Sequence, residues 1–328
     1  MLQHRKVDKM EKTRKLGQTD IEITAIGYGC MGQTHAYGVV EAEEDMVALM
    51  RYAHETGYIF FDTAPVYGEA NEQYLGKAVA PFRKEVVVAT KFGIVDDSFF
   101  SGNADALNSS RDSIKQQVDD SLKRLGTDYI DLYYQHRIDP KTEPEEVAET
   151  VEELIKAGKI RAWGVSFAPE EYIRRAHAVC KISAIENMYS FVARQDEGTY
   201  FPLCEELGIT YVSACPLAKG YLSNRYCAGT KYREGDWRAR MDLFQKEGMD
   251  ANQNLMDLIM EFAERKQATP AQIALAWEIT KKPYLVPIPG TTKKERVKEN
   301  FDAVHVELSS AEMQEIEEAL SHMDIVGM

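Results

Sequence analysis

The chain has 328 residues, with 39 Lys and Arg against 53 Asp and Glu, giving a formal net charge of −14. Hydrophobic residues at 44% and charged residues at 28% exclude wholesale disorder, and the length suits either two domains of ~150 residues or one (β/α)8 barrel of ~250 residues with insertions. The acidic balance argues against nucleic acid and anionic membrane surfaces as partners, while leaving room for a phosphate-bearing cofactor held by a local cationic cluster.

The first residues, MLQHRKVDKMEKTRK, are basic but hold no apolar stretch, so no signal peptide is expected. Residues 1–12 are predicted to be a flexible extension of a single domain that covers 1–328. No run approaches the ~18 apolar residues of a membrane span. The five cysteines, Cys30, Cys180, Cys204, Cys215 and Cys227, are scattered and form no CxxC pair. Reduced thiols in a cytoplasmic protein are the expectation.

The segment TRKLGQTDIEIT (13–24) predicts a β-hairpin that plugs the bottom of a barrel. Eight short β-branched or aromatic runs follow: AIGYG (25–29), YIFFD (58–62), EVVVATK (85–91), YIDLYYQ (129–135), IRAWGVS (160–166), ISAIEN (182–187), ITYVSA (209–214) and PYLVPIP (283–289). Helix-period segments lie between them. Met46, Leu49, Met50 and Ala53 form one apolar stripe closed by Gly57, and Ile114, Val118, Leu122 and Leu125 form another closed by Gly126. Leu154 and Ile155 end a third before Gly158, Thr269-Pro270 predicts a capped helix start, and a final helix follows Ser309 and Ser310. Parallel strands need crossover helices, so eight such units without a linker predict an α/β fold of the (β/α)8 TIM-barrel type, with an N-terminal β-hairpin and a C-terminal helix. From Ala218 to about Asn252 no clear element is evident. This stretch is predicted to be a lid over a bound cofactor.

Gly27, Gly29 and Gly32 spell GxGxxG after a strand, the dinucleotide fingerprint of a Rossmann fold. That fingerprint needs a helix opening at its third glycine. Here Gln33-Thr34-His35-Ala36-Tyr37-Gly38 follows, without helical period, so the glycines are expected instead to let a loop pass close to a ligand.

Barrels place reactive groups at the C-terminal ends of strands. The second run ends at Asp62, the third at Lys91, the fourth at Gln135-His136-Arg137, the fifth at Ser166 and the sixth at Glu186-Asn187, with Tyr67 in the loop after Asp62. Asp62 would hold Lys91 as a cation. An ammonium beside Tyr67 favours phenolate and lowers the phenol's pKa. His136 could hydrogen-bond a carbonyl. Together these supply a general acid with an electrophilic helper, as carbonyl reduction requires.

The segments GYIFFDTAPVYGEANEQYLG (57–76), VVVATKFG (86–93), SLKRLGTDYIDLYYQHRID (121–139), GVS (164–166) and PIPGTTKKERVKEN (287–300) resemble the signatures of the aldo-keto reductases, from about Thr13 to about Leu320. The resemblance implies a (β/α)8 barrel, NADP(H) as the hydride carrier, an aldehyde or ketone substrate, no metal, and a catalytic tetrad of Asp62, Tyr67, Lys91 and His136. It makes Tyr67 the proton donor and leaves homo-oligomerisation open. It places the adenosine 2′-phosphate on the loop and helix after the eighth run, at Gly290, Thr291, Thr292, Lys293 and Arg296, a helix N-terminus with two hydroxyls and two cations, and has Glu299 and Asn300 contact the adenine.

Gly29, Cys30, Met31, Asp62, Ser166, Glu186, Cys215, Pro216, Leu217, Ala218, Lys219 and Gly220 complete the expected cofactor contacts. The nicotinamide end departs from the family pattern. Ser166-Phe167 stands for Ser-Asn, Glu186-Asn187 for Gln-Asn, and Ala214 for an aromatic. Tyr28, Tyr37, Phe92, Arg137, Phe167 and Trp237, with Met31, are the expected pocket liners. Arg137 is expected to pair with Asp139, with binding of an anionic substrate as the other possibility. Two rival readings are a cofactor-binding redox-sensing or partner subunit with little turnover, and a Schiff-base aldolase on Lys91, against which Asp62 argues.

Overall fold

The computed structural model describes residues 13–327; the expected extension over 1–12 lies outside them. Eight strands form one parallel sheet in chain order: β3 (Tyr28–Gly29), β4 (Phe60–Asp62), β5 (Val87–Phe92), β6 (Ile130–Gln135), β7 (Ile160–Ser166), β8 (Ala184–Met188), β9 (Thr210–Ala214) and β10 (Leu285–Pro287). A parallel bridge between Gly29 and Gly290 brings the two ends together and closes the barrel. Only glycines permit this seam: a Cβ on Gly29 would sit 2.6 Å from the Ile288 carbonyl oxygen, and one on Gly290 equally close to that of Gly29.

The interior is filled by side chains from alternate strand positions, as the period of two demands. Phe60, Ala89, Leu132, Tyr134, Ala162, Val212 and Val286 point inward. Beneath them the antiparallel hairpin of β1 (Thr13–Lys15) and β2 (Glu22–Thr24) inserts Leu16, Ile21 and Ile23, so the hairpin does plug the barrel. The outward set, including Tyr28, Phe61, Phe92, Tyr133 and Val165, packs under the surrounding helices.

Those helices begin and end where the caps predict. Gly57 and Gly126 close Glu43–Thr56 and Arg111–Leu125 at positive φ. Thr269 accepts from the Gln272 backbone and Gln272 returns the bond, a capping box on Pro270–Lys281. Ser309 and Glu312 repeat it on Ser310–Ser321.

The stretch 218–252 is not structureless. It contains short 3-10 turns at Ala218–Ser223, Trp237–Arg240 and Asp242–Phe244, then the helix Lys246–Ala251. These turns lack helical apolar periodicity because an aromatic cluster, Tyr221, Tyr226, Tyr232 and Phe244, organises them. Arg238 sits over the rings of Tyr37, Tyr226 and Tyr232 and is held by Asp236. Trp237 donates its backbone N–H to Ala36 at 3.0 Å, which ties this segment to the loop after β3. Among the described residues no helix is long and apolar enough to cross a membrane.

Candidate active site

The C-terminal ends of β4, β5 and β8 bring three charges together. Register pairs Asp62 with Ala89 and Lys91 with Tyr134, and the inward alternation of β5 turns Lys91 into the barrel while Phe92 turns out. Lys91 is fully buried. Its Nζ lies 2.5 Å from Asp62 Oδ1, 3.1 Å from the Thr63 carbonyl oxygen and 3.2 Å from Glu186 Oε2. Burial opposes a charged lysine, but Asp62 and Glu186 outweigh it and hold the ammonium above its ordinary pKa. Burial, then Glu186, push the Asp62 carboxyl well above the usual carboxylate range, against the pull of Lys91. Asp62 Oδ2 is buried without a hydrogen-bond partner within the protein and Glu186 Oε2 has only its ion-pair contact with Lys91, so two carboxylates share one ammonium.

Tyr67 lies in the short turn Pro65–Tyr67 and lines the cleft above this cluster. The Lys91 ammonium is 5.6 Å from the centre of its ring. Burial pushes the phenol up and exceeds the lowering by Lys91. The lowering by Lys91 is the one expected from the sequence, but burial outweighs it and the net shift is upward. The His136 ring meets Tyr67 edge-on at 6.0 Å between centroids. Burial, with Lys91 and Arg137 adding to it, pushes His136 well below its ordinary value, so the imidazole is neutral and can donate one hydrogen bond. Asp62, Tyr67, Lys91 and His136 thus converge at one end of the barrel.

A cleft of about 390 Å³ runs from this point to the seam between β3 and β10. Gly29, Cys30, Met31, Asp62 and Glu186 line one part, Cys215, Pro216, Leu217, Lys219 and Gly220 another, and Gly290, Thr291, Thr292, Lys293, Arg296 and Asn300 the far end. Three expected residues do not line it. The Ser166 hydroxyl donates to the Glu186 carbonyl oxygen at 2.7 Å, Ala218 is fully buried, and Glu299 is engaged by Arg225. Cys215, Ala218 and Lys219 all have positive φ, so the turn after β9 is strained where it meets the cleft. Sequence reasoning placed the lid and its aromatic residues, Tyr226 among them, over the cleft but did not single out Arg225, Lys231 and Arg238, which line it. The abundance of Arg and Lys in that segment was the available signal.

Among the pocket expectations, Tyr37 lines the cleft. Tyr28 and Phe92 do not: both are fully buried in the layer between barrel and helices, where Tyr28 packs on Tyr58 and Phe92 on Tyr133. The error is one of parity, since a one-residue step along a strand reverses the face. Trp237, Phe167 and Arg137 also fall outside the cleft lining: Trp237 meets His35 edge-on and Phe100 at a tilt, and Phe167 lies under Arg137. Asp139 does not pair with Arg137. It accepts instead from the backbone N–H groups of Ser109 and Lys141 and from Thr142.

The family model described as "Aldo/keto reductase family" matches residues 25–321. A probable aldo-keto reductase 1 of Glycine max is 39% identical over 315 residues, covering 95% of this chain and 90% of that protein. An aldo-keto reductase yakc [NADP(+)] of Schizosaccharomyces pombe is 37% identical over 322 residues, covering 96% and 93%. Among solved structures, a glycerol dehydrogenase from Gluconobacter oxydans has a TM-score of 0.85 at 25% identity, covering 95% of this chain and 96% of that one. An aldo/keto reductase from Klebsiella pneumoniae in complex with NADP and acetate has a TM-score of 0.73 at 26% identity, covering 96% and 99%. The barrel, its converging side chains and these likenesses agree: the chain belongs to the aldo/keto reductase family.

Proposed function

We propose that the protein is an NADP(H)-dependent oxidoreductase that reduces an aldehyde or ketone, with Tyr67 as the proton donor. The observation that carries this reading is the meeting of Tyr67, Lys91, Asp62 and His136 at one end of the barrel, with Tyr67 and Asp62 lining the cleft. The reductase relatives, one named for NADP(+) and one solved with NADP, support the cofactor.

The residues present fit that cofactor. Lys293 and Arg296 both line the cleft, and among the described residues neither is paired with a carboxylate, unlike the neighbouring Arg225. They flank the start of the helix Lys294–Asp302, beside the hydroxyls of Thr291 and Thr292. Unpaired cations, hydroxyls and a helix N-terminus suit a phosphate dianion. When bound, the cofactor supplies a hydride. Tyr67 then gives a proton to the carbonyl oxygen, neutral His136 orients that oxygen through a hydrogen bond, and Lys91, fixed by Asp62 and Glu186, keeps a positive charge behind the developing phenolate.

Tyr67→Phe tests the assignment. Turnover of small aldehydes, followed by loss of NADPH absorbance, should fall by orders of magnitude while NADPH still binds. Retained turnover defeats the role of Tyr67. Tight NADPH binding by the wild-type protein, without turnover of any aldehyde or ketone offered, favours the redox-sensing reading.

A further inference from the structure

Arg137 follows the catalytic His136 in sequence, yet no carboxylate among the described residues pairs with it. Its Nη1 donates to the His136 carbonyl oxygen at 2.6 Å and lies 3.4 Å from Ser166 Oγ. The guanidinium carbon is 4.0 Å from the centre of the Phe167 ring and 5.9 Å from that of Phe99. Phe167 has a positive φ of 53°, its backbone N–H donates to Asn187 Oδ1 at 2.8 Å, and its ring remains 37% exposed beneath the guanidinium.

The contacts around Arg137 close a circuit. Phe99 meets Phe100 at 5.5 Å, Phe100 meets His35 at 5.3 Å, His35 stacks on Tyr67 at 5.7 Å, and Tyr67 meets His136 at 6.0 Å. His136 returns to Arg137 through the backbone. These contacts form a ring of flat side chains that holds one cation and includes Tyr67. Aromatic walls favour a planar guest. A half-buried guanidinium with unused donors favours an oxyanion, and its planar fork suits a carboxylate in particular. It also counters Asp62 and Glu186, whose charge would otherwise repel an anion entering this acidic protein.

We propose that Arg137 is an anion seat at the barrel mouth, and that the carbonyl substrate of this site is a planar compound carrying a carboxylate. This rests on the reductase reading above, and the experiment separates the two. Reduction of 3-carboxybenzaldehyde and of its methyl ester is measured with NADPH for the wild type, Arg137→Met and Arg137→Lys. The wild type should prefer the free acid. The ratio of kcat/KM, acid over ester, should fall tenfold or more in Arg137→Met and recover in part in Arg137→Lys. A brace that only supports His136 would lower both substrates together, so a ratio in Arg137→Met within twofold of wild type overturns the seat. Calorimetric binding of benzoate to the protein needs no turnover. Binding that weakens tenfold in Arg137→Met supports the seat even if neither aldehyde is reduced, an outcome that would remove the reductase reading alone. Binding equal in both proteins overturns the seat.

Discussion

Glu186 Oε2 lies 3.2 Å from the Lys91 ammonium, which Asp62 Oδ1 meets at 2.5 Å. A glutamate thus takes part in the charge balance around Tyr67, the proposed proton donor, where sequence reasoning had assigned it to the cofactor. Among the influences on the Tyr67 phenol, Glu186 raises its pKa and Lys91 lowers it. Glu186→Gln keeps the shape and removes the charge. Carbonyl reduction needs a protonated phenol, so its rate falls as pH rises through the phenol's pKa. Taking away a group that raises that pKa moves this fall to lower pH. The check is the high-pH limb of kcat/KM for reduction in wild type and Glu186→Gln; coincident limbs would refute the role given to Glu186.

Lys91 also bears on stability. Replacing it with Met leaves Asp62 and Glu186 buried side by side with no cation. Removing one partner of a buried ion pair costs ~3–5 kcal/mol, most of it the uncompensated charge that remains. Lys91→Met should therefore unfold at lower denaturant, as well as losing turnover. Because the Asp62 carboxyl, already pushed well above the usual carboxylate range, can take up a proton, the loss should shrink as pH falls from 8 to 5. Urea unfolding at several pH values measures both effects, and a pH-independent loss would count against a charge origin.

His136 contributes a dependence in the same direction by a different route. Its folded-state pKa is pushed well below the ordinary value, first by burial and then by Lys91 and Arg137. The unfolded chain therefore binds a proton that the folded chain refuses. Stability from this group is full above the unfolded value of ~6.5 and declines as pH drops below it. His136→Asn should flatten the dependence of Tm on pH between 7 and 5.5, whatever its effect on Tm at pH 7. An unchanged slope would show that the imidazole is not the group responsible.

At the far end of the cleft, Arg296→Ala and Lys293→Ala should weaken NADPH more than NADH, with Arg296 the larger effect. Loss of one charge-assisted contact to a phosphate is worth ~1.5–3 kcal/mol, or roughly 10–100-fold in Kd. Fluorescence titration with both cofactors measures the difference. Equal losses for the two cofactors would place the 2′-phosphate elsewhere.

The barrel was legible because eight strands and their helices repeat one pattern, and because caps such as Thr269-Pro270 and Ser309 act locally. The tetrad was legible for the same reason, since each member sits at or just after a strand end. Two features were not. The inward or outward sense of a short strand is a matter of parity, so Phe92 was placed in the pocket when Lys91 holds the inward position. Pairing between charged side chains depends on which neighbours claim them first. Asp139 is taken by the backbone of Ser109 and Lys141, and this left Arg137 to the aromatic rings. Neither competition is visible in a sequence.

The clasp over the cleft offers a kinetic test. The loop carrying Ala36 and Tyr37 bridges to Asp236 and Trp237, joining the two lips of the groove. Gly38 makes this possible: at φ +70° a Cβ there would lie 2.1 Å from the Glu234 carbonyl oxygen. Gly38→Ala must therefore push the lips apart while leaving every residue that lines the cleft in place chemically. If the clasp sets cofactor release, NADPH should dissociate faster from Gly38→Ala, at a Tm little changed because the barrel core is untouched. Stopped-flow displacement of NADPH by excess NADP+ gives the rate directly. A dissociation rate equal to wild type would mean that the cofactor leaves without the clasp opening.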